Sequence, residues 1–150
     1  MKKIKIYLDH CSYNRPFDNQ SQMKVRLETE AKLYIQAGIR EGRYSLCWSF
    51  MSDYENSENP SEEKKKAIGF WMSKADDYCE TSPDILEYAK GYLKIGLKHK
   101  DAIHLACAVK SKCDYLITAD KRFYNKNDLI KEIKIVNPMT FILEMEEETK

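Results

Sequence analysis

The sequence predicts an α/β fold, a three-layer sandwich in which a mainly parallel central sheet is flanked by helices. Short apolar runs of strand character, at residues 3–8, 44–50, 114–120 and 133–136, alternate with helical patterns. Those helical stretches are long enough to be crossover connections, which is what parallel neighbours need. Two of the runs end in an aspartate, Asp9 and Asp120, and Asp101 opens the helical pattern just before the second.

At 150 residues the chain has the length of one ordinary domain, so residues 1–150 are read as a single domain able to bury a core of its own. Hydrophobic residues make up 43% and charged residues 33%, and no apolar stretch approaches the length of a membrane span. Met1-Lys2-Lys3 leads straight into a strand-like run too short and polar for a signal peptide, so a cytoplasmic protein is expected. Cys11, Cys47, Cys79, Cys107 and Cys113 are scattered singly without a C-x-x-C pair, which suggests neither a zinc site nor a disulfide framework. A formal net charge of +1 argues against a protein that coats polyanions by bulk charge, so any nucleic-acid contact must be local.

Along the chain, Lys3 to Leu8 reads as a strand that enters a loop through Asn14-Arg15-Pro16-Phe17-Asp18. A helix then runs from Met23 to Ile39 and closes at Gly38 or Gly42. Residues 44–50 form the second strand, and Ser52 or Asp53 caps a short helix that holds Glu55 and stops before Asn59-Pro60. Residues 61–78 read as one helix with Ala67, Ile68, Phe70, Trp71 and Ala75 on its apolar face. Thr81 or Ser82 caps the next helix, with Pro83 at its first position and Gly96 beyond its end. The helix around Asp101-Ala102-Ile103-His104-Leu105-Ala106 is apolar or small on nearly every side and should be buried. A strand to Asp120, a basic turn, the strand at 133–136 and a terminal helix with an acidic end at 144–148 complete the chain.

In an open parallel sheet, sites form outside the carboxyl ends of the strands, where the chain order reverses. Asp9 and Asp120 belong to that edge, and the helix that starts near Asp101 can bring a third carboxylate over it. Glu55, on the helix after the second strand, is the candidate fourth, in competition with Asp53, Glu58, Glu28 and Glu30. Carboxylates sharing a small space disfavour one another's ionisation, a penalty that a hard divalent cation removes. Such a site suits attack of a metal-activated water on a phosphodiester. A phosphoryl-accepting aspartate is disfavoured, because Asp9-His10-Cys11 lacks the Asp-x-Asp pattern or a paired acid.

Ile6-Tyr7-Leu8-Asp9, the Asp101-Ala102-Ile103-His104-Leu105-Ala106 run and Thr118-Ala119-Asp120-Lys121-Arg122-Phe123 together resemble a PIN domain, the nuclease fold named after the N-terminal domain of PilT. The resemblance spans nearly the whole chain, to Ile133-Lys134-Ile135-Val136-Asn137-Pro138. It implies a ribonuclease dependent on Mg²⁺ or Mn²⁺, of the kind found as toxins of bacterial toxin–antitoxin pairs. Asp9, Glu55, Asp101 and Asp120 would be the catalytic, metal-holding acids, and Thr118 a supporting hydroxyl. It further implies an RNA substrate, a homodimer and a cognate antitoxin protein. The alternative is a PIN-like module that binds nucleic acid or assembles without cutting. The long loop at 15–18 and the polar stretch 56–61 depart from the family pattern, and they bear on the second acid and the substrate groove.

Arg15, Lys121 and Arg122 fall near the acidic edge, where positive charge could grip phosphates, as do Lys98 and Lys100. Tyr13 and Phe17 offer rings for stacking unpaired bases, although packing explains them as well. Trp48, Phe70 and Trp71 read as core or as an oligomer surface. His104 reads as a hydrogen-bonded core histidine rather than a catalytic base, His10 as directed away from Asp9, and His99 as surface.

Overall fold

The computed structural model describes residues 3–148, so Met1 and Lys2 of the leader reading lie outside the described residues. Five strands, β1 (Ile4–Leu8), β2 (Tyr44–Ser49), β3 (Asp77–Cys79), β4 (Tyr115–Ile117) and β5 (Lys134–Val136), form one sheet in the order β3-β2-β1-β4-β5. Every pairing is parallel. The chain steps outward from β1 through β2 to β3, then returns to the other side of β1 for β4 and β5. The order therefore reverses between β1 and β4, and a crevice opens at their carboxyl ends.

Side chains alternate along each strand, so the sheet buries both faces. Tyr7, Cys47, Leu116 and Ile135 pack with Ile85 and Ala89 of α5 (Pro83–Leu93) and with Ala102, Leu105 and Ala106 of α6 (His99–Lys110). Ile6, Leu8, Leu46, Trp48, Ile117 and Val136 face the other way. They meet Ile35 and Ile39 of α2 (Met23–Arg40), Ile68 of α4 (Glu62–Gly69) and Phe141 of α8 (Pro138–Glu148). These are the three layers that the alternation of apolar runs and helical patterns predicts. Ala102, Leu105, Ala106, Cys107 and Ala108 are wholly shielded, so α6 is buried as its composition requires. Among the described residues no helix is long and apolar enough to cross a membrane.

Four local expectations are corrected. The segment after Asp9 is a helix, α1 (His10–Asn14), followed by a 3-10 turn at Arg15–Phe17, because the Asp9 carboxylate accepts from the Ser12 amide and caps it. Helix α3 (Phe50–Ser57) is capped by Ser49 rather than Ser52 or Asp53, and Ser52 serves as the reciprocal partner of a capping box. The helix expected over 61–78 ends at Gly69, a 3-10 turn spans Phe70–Lys74, and β3 follows, in register with β2 through Cys47 and Asp77, Trp48 and Tyr78, and Ser49 and Cys79. Phe70 consequently stands 47% exposed while Trp71 is buried. Finally, β4 ends at Ile117, and Asp120 is the N-cap of a short helix, α7 (Lys121–Tyr124), where a turn was expected. Ser82 caps α5 with Pro83 in its first turn, as the sequence indicates.

Candidate functional site

Asp9 leaves the end of β1 at the reversal point and is only 2% exposed. One carboxylate oxygen accepts from the Ser12 amide at 3.0 Å and the other from the Thr118 hydroxyl at 2.6 Å. Thr118, fully buried just beyond β4, also accepts from the Asp120 amide at 3.0 Å, so a single hydroxyl ties the first acid to the backbone of the last. Burial pushes the Asp9 carboxyl up, opposed by the charge of His104 and the bonds from Thr118 and Ser12.

Asp101, in the first turn of α6, is pushed up to about 6 by burial and then by the negative charges of Asp9 and Asp120. The three aspartates thus share one electrostatic field. Asp120 turns one oxygen to the Arg122 amide at 3.0 Å, as the cap of α7.

Glu55 reaches the same region from α3 but is bonded to His104 Nε2. The other ring nitrogen, Nδ1, lies 2.5 Å from the Tyr7 hydroxyl, which in turn lies 2.6 Å from that of Ser49. A buried polar chain therefore runs from the β2 terminus to Glu55. Burial pushes the Glu55 carboxyl up, but the hydrogen bond and charge of His104, with His10 and Lys100, outweigh it and hold the group below the ordinary range. The competing acids are placed otherwise. Asp53 accepts from Trp48 Nε1 at 2.8 Å and from the Tyr78 hydroxyl at 2.5 Å, Glu58 lies 3.9 Å from Lys100, Glu28 is buried against Arg15, and Glu30 is exposed on α2.

Two clefts meet beside Asp120 and Glu55. One, of about 390 Å³, is lined by Cys11, Arg15, Ala119, Asp120 and Lys121, and the other, of about 200 Å³, by Glu55, Glu58, Asn59 and Lys100. His10 and Asn14 line both, joined by a 2.7 Å hydrogen bond. Burial lowers the His10 pKa, so the ring at this junction favours its neutral form.

Of the basic candidates, Lys121 and Arg122 are exposed on α7. Arg15 is engaged by its own neighbourhood, with Nε 3.0 Å from Glu28, Nη1 3.0 Å from Asp18 and Nη2 3.5 Å from the Ala119 carbonyl. His99 is exposed and Tyr13 is buried, its ring facing Trp48 at 5.2 Å, while Phe17 is 39% exposed.

Among the described residues, no three His, Cys, Asp or Glu side chains stand together as a metal cage. The donor chemistry nevertheless fits a hard divalent ion: all the groups are carboxylate oxygens, and Asp101 is raised by burial and then by two neighbours of like charge. Mg²⁺ takes few protein carboxylates and keeps water for its remaining positions, so a complete cage is not the geometry it requires.

Sequence reasoning did not anticipate two participants. Lys32 lies wholly buried beneath α1, its Nζ 2.7 Å from the Ser12 carbonyl. The signal was its spacing, since Glu28, Lys32, Ile35 and Ile39 follow one another down the buried face of α2. The partnership of His104 with Glu55 gave no local signal, because the two lie on different helices.

No known sequence family matches the chain, and no curated relative does. Its fold is similar to that of a chain in the crystal structure of VapBC2 from Rickettsia felis bound to a DNA fragment from their promoter. The TM-score is 0.55 and the identity 12%, over 89% of this chain and 98% of that one. At that identity the likeness is one of fold: a five-stranded, all-parallel sheet flanked by helices, consistent with the PIN-like arrangement that the sequence resembles.

Proposed function

We propose that the chain is a metal-dependent endoribonuclease of the PIN type. The observation that carries this reading is that Asp9 and Asp120 follow the two strands that flank the reversal point of a parallel sheet, and that their charges add to burial in raising Asp101 to about 6. Asp9, Asp101 and Asp120 would hold Mg²⁺ or Mn²⁺, with Glu55 as a fourth acid. A bound ion of this kind supplies an activated water and offsets charge that develops on the phosphodiester.

The remaining residues position these groups. Thr118 and Ser12 hold both oxygens of Asp9, and a buried carboxylate with both oxygens fixed loses little freedom when it takes a ligand. His104 and Tyr7 orient Glu55 from behind. The two joined clefts offer a path for an extended RNA strand, with Lys121 and Arg122 at one end and Lys100 at the other to contact its phosphates. The antitoxin partner, the homodimer, the cytoplasmic setting and the organisation of residues 1–150 as one domain belong to the same proposal.

One observation favours the second reading, a non-catalytic PIN-like module that binds nucleic acid or assembles: Glu55 is tied to His104 rather than grouped with the three aspartates. Cleavage mapping on cellular RNA with Mn²⁺, comparing wild type with Asp101→Asn and Asp120→Asn, separates the two. Cuts that appear with the wild type and vanish in both variants support the nuclease. Undiminished cutting by both variants, or RNA binding with no metal-dependent cutting by the wild type, overturns it.

A further inference from the structure

His10 and Asn14 lie one turn apart on α1, half-buried, and both line the junction of the two clefts. Asn14 Nδ2 donates to His10 Nε2 at 2.7 Å, since an amide nitrogen cannot accept. One N–H of the carboxamide is spent in this way. Its second N–H and its Oδ1 have no partner among the described residues, so a donor and an acceptor remain side by side. The turn that carries them is pinned, because Ser12 between the two is bonded through its amide to Asp9, through its hydroxyl to the Ile117 carbonyl and through its carbonyl to Lys32. The two clefts also differ in charge. The larger runs past Asp120 to Lys121, whereas the smaller sets Glu55 and Glu58 against Lys100, with Pro60 as an apolar wall. A phosphate is repelled by the smaller cleft, and an uncharged ring bearing N–H groups is not.

We propose that the smaller cleft is a nucleobase subsite in which the Asn14 carboxamide, its orientation fixed by His10, reads the edge of an unpaired adenine or cytosine. The subsite rests on the nuclease reading for the class of its ligand, RNA. Both bases present an amino N–H beside an unprotonated ring nitrogen. The amino group donates to Asn14 Oδ1, and the ring nitrogen accepts the free N–H of Nδ2. The second amino hydrogen finds acceptors in the carboxylates that line the cleft.

Uracil and guanine present the reverse order, a carbonyl oxygen beside a ring N–H. To pair with either, the carboxamide must turn over. That gives up its bond to His10 and sets the lone pairs of Oδ1 against that of Nε2. His10 is therefore a positioning residue, which selects among bases by holding Asn14 in one of its two orientations.

The test is fluorescence anisotropy of the full-length chain with labelled single-stranded oligocytidylate and oligouridylate of equal length in Ca²⁺, followed by cleavage of the same strands in Mn²⁺. The wild type is expected to bind oligocytidylate about tenfold more tightly, the discrimination of one paired contact. Asn14→Ala is expected to weaken oligocytidylate binding until the two strands lie within about twofold of each other. His10→Ala is expected to reach a similar ratio mainly by a gain for oligouridylate, because the carboxamide is then free to turn over. Circular dichroism checks the fold of each variant, and the wild-type ratio decides even where a variant fails to fold. A wild-type ratio within about twofold, or a ratio that survives Asn14→Ala, overturns the subsite, and equal cutting of both strands then leaves the nuclease reading standing. A ratio that depends on Asn14 without any cutting in Mn²⁺ upholds the subsite and overturns the nuclease. Binding to neither strand overturns both.

Discussion

Lys32 Nζ donates to the Ser12 carbonyl at 2.7 Å from a side chain with no exposure to solvent, and the amide of the same serine donates to Asp9. The ammonium also lies 4.6 Å from the centre of the Tyr13 ring. Desolvation outweighs the attraction of Asp9 and lowers Lys32 from 10.5 to about 7. Between those two values the unfolded chain binds more protons than the folded one, so stability rises with pH across this window, and below 7 the penalty is complete and constant. That penalty approaches about 5 kcal/mol. Lys32→Met keeps the volume, removes the charge and leaves the Ser12 carbonyl without its donor, a loss of about 1–3 kcal/mol. The variant is therefore expected to be about 2–4 kcal/mol more stable at pH 6 and to lose the rise toward alkaline pH. Urea unfolding of both proteins over a pH series checks this, and a variant less stable at pH 6 contradicts it.

Asp101 shows the opposite dependence. Its carboxyl stands at about 6 against 3.8 unfolded, so the folded chain binds the extra proton between these values and stability falls as pH rises through them. Above 6 the full cost applies, about 1–2 kcal/mol once solvent screening of this partly exposed carboxyl is allowed for. Asp101→Asn should stabilise the metal-free protein at pH 7 by an amount of that order and have little effect at pH 3. In the wild type Mn²⁺ should raise the melting temperature by binding the native state, and Asp101→Asn should lose that rise. Thermal melts at both pH values, with and without Mn²⁺, read all three effects.

How much of this was legible in the sequence depends on how local its causes are. Strand β1 and its terminal Asp9, the Ser82-Pro83 start of α5 and the small residues of α6 are written within a few positions, as alternation, caps and composition. Strand β3 has only three residues, too few for a period, and exists because β2 offers it an edge. Helix α1 was hidden because its cap is Asp9 itself, an acid read for chemistry and not for structure. Ser12 and Thr118 lie far apart in the chain and converge on Asp9 only because β1 and β4 are neighbours. His104 and Glu55 meet only after α6 and α3 pack across the sheet edge, so composition foretold a hydrogen-bonded histidine but not its partner.

The Thr118 hydroxyl donates to Asp9 at 2.6 Å and accepts from the Asp120 amide at 3.0 Å, with no access to water to replace either bond. Thr118→Val preserves shape and removes both. The lost bond to a charged group, together with the stranded amide, should cost about 2–4 kcal/mol, while Thr118→Ser should recover most of it. Denaturant midpoints distinguish the two. Mn²⁺ titration by calorimetry should show weaker binding in Thr118→Val alone, because Asp9 loses its orientation without losing its charge. Equal midpoints for Val and Ser would show that the hydroxyl holds nothing.

Gly38, near the end of α2, tests the packing of that helix on the sheet. A Cβ built there would lie 2.4 Å and 2.7 Å from carbons of the Tyr44 ring, at the start of β2. That ring cannot retreat easily, since it is buried and meets Phe141 of α8 edge-on at 5.2 Å. Alanine in place of glycine inside an exposed helix gains up to about 1 kcal/mol in propensity. Here the clash must displace either α2 or the Tyr44–Phe141 pair, and overpacking of this kind costs about 1–3 kcal/mol. Gly38→Ala should therefore destabilise despite its better helix propensity, whereas Gly91→Ala on α5, where a Cβ meets nothing within 4 Å, should stabilise. Measured side by side by urea unfolding, opposite signs at the two positions confirm close packing of α2 against β2. A gain at both would mean that Tyr44 yields.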